Sequence, residues 1–386
     1  MFLLFLIPFC FTDWDLSKMV HEINNRNDVG WTARVNPHFK SFNQKKFRSL
    51  NSAQHNPSFS LQFKNEFVKI EDEIPESFDA RTNWPNCPTI GHIYDQGHCG
   101  SCWAMCSFEV LQDRFCIHSN GSEKPWLSGQ DITSCDSRSH GCNGGWTETA
   151  FEYAKKAGVP TEECVPYLMG KCHHPGCSSW QTPTCKKECS SLSNYNYSSN
   201  RYYASKSYSI QRNVEAIQLE LMRNGPVTAV FTTYDDLAVY WRGVYNHVMG
   251  SEQGLHAIKI VGWGVWRESE HMLTEEEKKA EEEKRKRIEE EIKKEKREDK
   301  WHDFKQNALE KSKKVKRDET KNNKEEGIPY WIIVNSWGED FGMDGILLIK
   351  RGVNECGIES DVYTGIPKIE KKGWLREREI RYRIHN

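Results

Sequence analysis

No stretch of the 386 residues approaches eighteen consecutive apolar side chains, so the sequence predicts no transmembrane helix. Nor does one sign of charge dominate: 53 Lys and Arg stand against 55 Asp and Glu, for a net charge of −2. That balance gives no reason to expect nucleic acid or an anionic membrane as a partner. The apolar run at residues 2–11 is too short to cross a bilayer and fits the apolar part of a cleaved secretory signal, residues 1–12. It lacks a positively charged stretch before it and a clear small-residue cleavage site after it; a misplaced start codon is the other explanation. Cysteine, by contrast, is plentiful. Fourteen in one chain point to an oxidising compartment. The sequons Asn120-Gly121-Ser122 and Asn196-Tyr197-Ser198 agree with secretion.

The most informative run is Gln96-Gly97-His98-Cys99-Gly100-Ser101-Cys102-Trp103. After it, Trp103, Cys106, Val110, Leu111, Phe115 and Ile117 recur at helical spacing, which puts Cys102 at the start of a buried helix. A thiol there faces the positive end of the helix dipole, which favours the thiolate. His256 lies 154 residues later in Gly254-Leu255-His256-Ala257-Ile258-Lys259-Ile260-Val261-Gly262, a run that predicts a buried strand. Asn335 lies in a second apolar strand, Tyr330-Trp331-Ile332-Ile333-Val334-Asn335-Ser336-Trp337-Gly338. An imidazole can take the thiol proton and return it to a leaving amine, and an amide can fix the ring. The Gln96 amide can donate beside the Cys102 backbone N–H to a developing oxyanion, where one donor is worth about 3–4 kcal/mol.

Each of these residues alone has an ordinary reading: half a disulfide, a satisfied core histidine, a turn asparagine. Their joint occurrence in the order Gln, Cys, His, Asn argues for a thiol peptidase. Here the chain resembles the papain-like cysteine proteases, whose nucleophile is the second cysteine of C-G-S-C-W. Within them it is similar to the cathepsin B type, from Glu76-Ser77-Phe78-Asp79-Ala80-Arg81 through Cys142-Asn143-Gly144-Gly145 and Asn224-Gly225-Pro226-Val227 to Cys356-Gly357-Ile358-Glu359-Ser360. Met19-Val20-His21-Glu22-Ile23-Asn24-Asn25 and Gly30-Trp31-Thr32-Ala33 are similar to the family's short propeptide.

The resemblance implies an α+β, papain-like two-lobed fold. A helical left lobe (about 88–190) and a β-barrel-like right lobe (about 191–365) would flank an active-site cleft, within a catalytic domain at 74–367. Residues 13–73 would be an inhibitory propeptide, making the chain a zymogen that acts on peptide and protein substrates. It further implies disulfides Cys87–Cys116, Cys99–Cys142, Cys135–Cys185, Cys164–Cys189 and Cys172–Cys177. One adjacent pair usual in the family is absent, because residues 135–140 carry a single cysteine. Substrate-binding positions carried over are Gly144 and Gly145 (close backbone approach), Trp337 (a shield over the His256–Asn335 bond) and Asp361 (base of the pocket for the P2 side chain). The family usually has glutamate where Asp361 stands; aspartate keeps the charge at a shorter reach, and the charge predicts acceptance of a basic P2 residue. His173 and His174 match the paired histidines of the occluding loop that supports dipeptidyl carboxypeptidase activity. Only four residues separate Cys172 from Cys177, however, so such a loop is much shortened. The same cysteines and histidines have zinc-ligand chemistry at a spacing too short for a common structural site. No metal and no cofactor is expected. A monomer is, located in the secretory pathway, in an acidic lysosome-like compartment or outside the cell.

Residues 267–326 do not belong to that pattern. Twenty of these 60 are Lys or Arg and twenty are Asp or Glu, with opposite charges at i,i+3 and i,i+4. This predicts a solvated, largely helical excursion over 272–320, with disorder or a retained intron as the plainer readings. The tail at 368–386 carries seven Lys or Arg. Two other function classes stay open at this point: a catalytically silent homologue acting as a binding module, and a helical interaction protein whose charged segment is the working part.

Overall fold

The computed structural model describes residues 14–55, 73–170, 181–267 and 327–369. The chain divides into two compact units, one comprising Met1–Val265 with Pro329–Asn386 and the other Trp266–Ile328. Of the second unit, only residues 266, 267, 327 and 328 are described. The expected signal at 1–12, the Cys172–Cys177 loop, nearly all of the charged insertion and most of the tail therefore lie outside the described residues.

The N-terminal segment holds α1 (Leu16–Asn24), β1 (Trp31–Ala33) and α2 (Gln44–Leu50). Asp15 caps α1 by accepting the Ser17 and Lys18 amides, and Asn43 caps α2 through the Lys46 amide. Next come β2 (Phe78–Asp79), α3 (Ala80–Asn83) and three helices, α4 (Cys102–His118), α5 (Gly129–Cys135) and α6 (Thr147–Lys156). Beyond them run β3 (Ala204–Ser209), α7 (Val214–Asn224), β4 (Val227–Tyr234), β5 (Tyr240–Tyr245), β6 (Glu252–Trp266), β7 (Ile328–Val334), β8 (Ile346–Lys350) and β9 (Asp361–Pro367). Among the described residues one sheet follows the order β1-β5-β8-β7-β6-β4-β9-β3, with β2 added on β6. Because β6 and β7 are neighbours, the charged insertion leaves and re-enters the sheet at adjacent strands.

Two cores result. Helices α4 to α6 bury Trp103, Phe108, Leu111, Phe115, Ile132 and Phe151 against one another. The sheet and α7 bury Ile217, Leu237, Ile258, Trp331, Ile333 and Leu347. The N-terminal segment shares this second core through Leu16, Met19, Trp31, Phe39, Phe47 and Leu50. It also contributes β1, antiparallel to β5, as an outer strand of the sheet.

Helix α4 joins the two cores. It is buried on all sides, charges included, so its ionic groups need partners from other elements. Lys259 on β6 reaches Glu109 Oε2 at 3.3 Å and Asp113 Oδ2 at 3.0 Å. Arg114 pairs with Glu220 of α7 at 3.0 Å and donates to the Gly225 and Pro226 carbonyls. Disulfides join Cys87 to Cys116, Cys99 to Cys142, Cys135 to Cys185 and Cys164 to Cys189. Among the described residues Cys102, Cys106 and Cys356 are free thiols.

Candidate active site

His256 sits on β6 opposite Phe231 of β4, fully buried. Asn335 comes one residue after the end of β7 rather than inside it, because that strand stops at Val334. The loop position frees its side chain to turn back to the sheet. Its Oδ1 accepts from His256 Nε2 at 2.8 Å and from the Ser336 backbone N–H at 2.9 Å. A backbone amide can only donate, so the atom it meets must be the amide oxygen. Nε2 therefore carries a proton, and in the neutral ring Nδ1 holds the lone pair. That Nδ1 is buried and makes no hydrogen bond. Trp337 stacks on the imidazole at 4.5 Å between ring centroids, inclined by 29°.

Ser336 ties this pair to Gln96. Its hydroxyl donates to Gln96 Oε1 at 2.7 Å, and its carbonyl accepts the Gln96 backbone N–H at 2.9 Å. With Oε1 occupied, the Gln96 amide presents its N–H groups, which reach the carbonyls of Cys99 (2.9 Å) and Leu50 (3.1 Å).

Cys102 is the first residue of α4, with Ser101 before it as the N-cap residue. The Ser101 hydroxyl is engaged with Tyr167 (2.7 Å) and makes no capping bond to the helix. The thiol is wholly buried in a patch with Ala53, Cys106, Val230 and Ala257. Burial pushes it up from its ordinary pKa, against the backbone N–H groups of Ala257, Ser52, Ala53 and Trp103, which favour the thiolate. The expectation of a dipole-favoured thiolate thus meets a dry environment that favours the neutral thiol. Burial likewise lowers the His256 pKa to about 4, with the Asn335 bond acting weakly the other way. Around neutral pH burial thus favours the uncharged form of both groups.

What dries the site is the N-terminal segment. The Leu50 carbonyl takes the Gln96 amide, and the Ser52 hydroxyl donates to the Gly100 carbonyl at 2.7 Å. Ala53 N donates to the Leu255 carbonyl at 3.0 Å, next to His256. On the other side, Gly145 N donates to the Ser52 carbonyl (3.2 Å) and Gln54 N to the Gly145 carbonyl (2.9 Å). Gly144 has φ +111°, and a Cβ there would collide with the Ser52 carbonyl oxygen. The two glycines thus let a passing backbone come close. Asp361, at the start of β9, is reached by His55 Nδ1 at 2.6 Å and by Arg212 at 3.4 Å.

The structure therefore brings together Gln96, Asn335, His256 and Trp337 around one hydrogen-bond network, and places Cys102, Gly144, Gly145 and Asp361 along the N-terminal segment. His173 and His174 lie outside the described residues. Ser336, His55 and Glu148 were not nominated from the sequence. Ser336 stood in plain view between Asn335 and Trp337, but nothing local says that its hydroxyl reaches back 240 residues.

The chain is similar to known proteins of one family. The family model described as "Papain family cysteine protease" matches residues 74–279 and 318–366. The "Cathepsin B-like cysteine proteinase" of Schistosoma japonicum is 34% identical over 370 residues, 91% of this chain and 90% of its own length. "Cathepsin B-like cysteine proteinase 4" of Caenorhabditis elegans is 35% identical over 78% of this chain and 77% of its own. Among solved structures, "proCathepsin B S9 from Trypanosoma congolense" superposes with a TM-score of 0.69 at 31% identity, covering 91% of this chain and 98% of that one. A digestive procathepsin L 3 of Tenebrio molitor shares the fold, with a TM-score of 0.59 at 19% identity.

Proposed function

The chain belongs to the papain family of cysteine proteases, as a cathepsin B-like member, and we propose that Cys102, His256, Asn335 and Gln96 carry its peptide hydrolysis. The observation that carries this reading is the tautomer of His256. Asn335 Oδ1, itself held by the Ser336 N–H, accepts the hydrogen bond from Nε2–H and leaves Nδ1 as the one basic nitrogen. Cys102 gives its proton to Nδ1, and the thiolate attacks the scissile carbonyl. The oxyanion accepts from Gln96 Nε2 and the Cys102 backbone N–H. The imidazolium then protonates the leaving amine, and the same nitrogen draws a proton from the water that hydrolyses the thioester.

Residues 13–73 act as an inhibitory propeptide in this reading. The position of Leu50–His55 supports it, since the Leu50 carbonyl occupies the donor that an oxyanion needs. Asp361 selects a basic P2 side chain; its pairing with His55 supports that. Dipeptidyl carboxypeptidase activity is assigned to His173 and His174, and is tested by following release of C-terminal dipeptides. Fourteen cysteines and two sequons support passage through the secretory pathway to an acidic compartment or the outside.

The decisive test is hydrolysis of a fluorogenic dipeptidyl amide by acid-matured enzyme. Wild type turns it over, and Cys102→Ser lowers kcat by about 10⁴-fold or more. Retention of a tenth of the activity by Cys102→Ser would remove the nucleophile assignment.

A further inference from the structure

Glu148 is the carboxylate in this region that the reaction leaves unused. It lies in the first turn of α6, two residues after Trp146 and three after Gly145, whose backbone the N-terminal segment follows. Its residue is 1% exposed, yet Oε1 has no hydrogen-bond partner; the carboxylate is met by the Thr147 hydroxyl at 3.4 Å on Oε2 and by its own backbone N–H. A buried carboxylate oxygen without a partner is costly and calls for a reason.

Its surroundings suggest one. The charges of Asp361 and His55 both act on Glu148, and burial together with Asp361 holds its carboxyl up at about 7. Tyr363, on the same face of β9 as Asp361, responds to both carboxylates as well. The His55 ring, carried in by a backbone bonded to Gly145, pairs with Asp361 at 2.6 Å. Two acids from different elements, β9 and the start of α6, therefore lie within electrostatic reach of the imidazole that the N-terminal segment carries in.

We propose that Glu148 is a second specificity carboxylate of the P2 pocket, selecting with Asp361 for a basic substrate side chain whose place His55 holds in the intact chain. This rests on the reading of Asp361 as the base of that pocket. A guanidinium has five donors in a planar fork, more than the short Asp361 carboxylate can accept, and Glu148 Oε1 supplies the acceptor left over.

The experiment compares kcat/KM for matched dipeptidyl amides with Arg or Phe at P2, using the full chain after acid maturation. The Arg:Phe ratio needs no knowledge of the active fraction. Glu148→Gln lowers that ratio by about tenfold, through KM for the Arg substrate, the loss typical of one charge-assisted bond. Glu148→Asp, which keeps the charge, retains more of the ratio than Glu148→Gln. If Glu148→Gln gives no titratable enzyme, Glu148→Ala is read in its place. A ratio within twofold of wild type in the Glu148 variants, while Asp361→Asn lowers it, overturns the proposal and leaves the Asp361 reading standing. A ratio that neither Asp361→Asn nor Glu148→Gln changes overturns both.

Discussion

At Asn335 a single amide oxygen takes two hydrogen bonds, and that sharing fixes the imidazole tautomer. The neighbouring hydroxyl of Ser336 performs the equivalent service for Gln96, holding Oε1 so that Nε2 faces the site. In the proposed mechanism the Gln96 amide is thereby prepared for an oxyanion before any substrate arrives. Gln96→Ala removes that donor, and kcat/KM falls by about 10²–10³-fold in a peptide-amide assay. A fall of less than threefold would take Gln96 out of the chemistry. Residues such as Cys102, His256 and Asn335 could be nominated because each sits in a distinctive run of sequence. The partnerships of Ser336, His55 and Glu148 could not, since each depends on a residue far away in the chain.

Among the elements, α4 departs most from what periodicity suggests. Its apolar positions predict a buried helix, and the helix is buried with its acids included, which those positions do not announce. Burial pushes Glu109 up to about 7 even with Lys259 beside it, while the two acids push Lys259 up against its own burial. Lys259→Met leaves Glu109 and Asp113 without their cation, and lowers unfolding stability by about 3–5 kcal/mol at neutral pH. Denaturant unfolding of the two proteins checks this; coincident midpoints would contradict it. The strands β6 and β7 were legible as apolar runs around His256 and Asn335, though Asn335 itself falls just past the end of β7. The joining of one helix to two cores was not. It depends on buried ion pairs between α4, β6 and α7, which no local pattern announces.

At the scale of the whole molecule, the N-terminal segment is part of the protein's core as well as a cover. Phe39 and Phe47 pack edge-on against Trp337, which itself stacks on His256. Removing the segment therefore uncovers Trp337, lets water reach Cys102 and His256, and lifts the burial that holds both neutral. Acid assists that step. The enclosed imidazole stays neutral down to about pH 4, whereas a hydrated one takes a proton near 6.5. As pH falls through that window the open state binds the extra proton, and opening gains on the order of 3 kcal/mol. Glu148 works in the opposite sense, being the better proton acceptor while enclosed.

The most direct measurement is the rate at which a thiol-directed epoxide labels Cys102, located by mass spectrometry, in the intact chain at pH 7 and after acid maturation. Negligible labelling of the intact chain and fast labelling of the matured enzyme at Cys102 are expected. Labelling of the intact chain at the matured rate, or labelling of the matured enzyme at another cysteine, would contradict it.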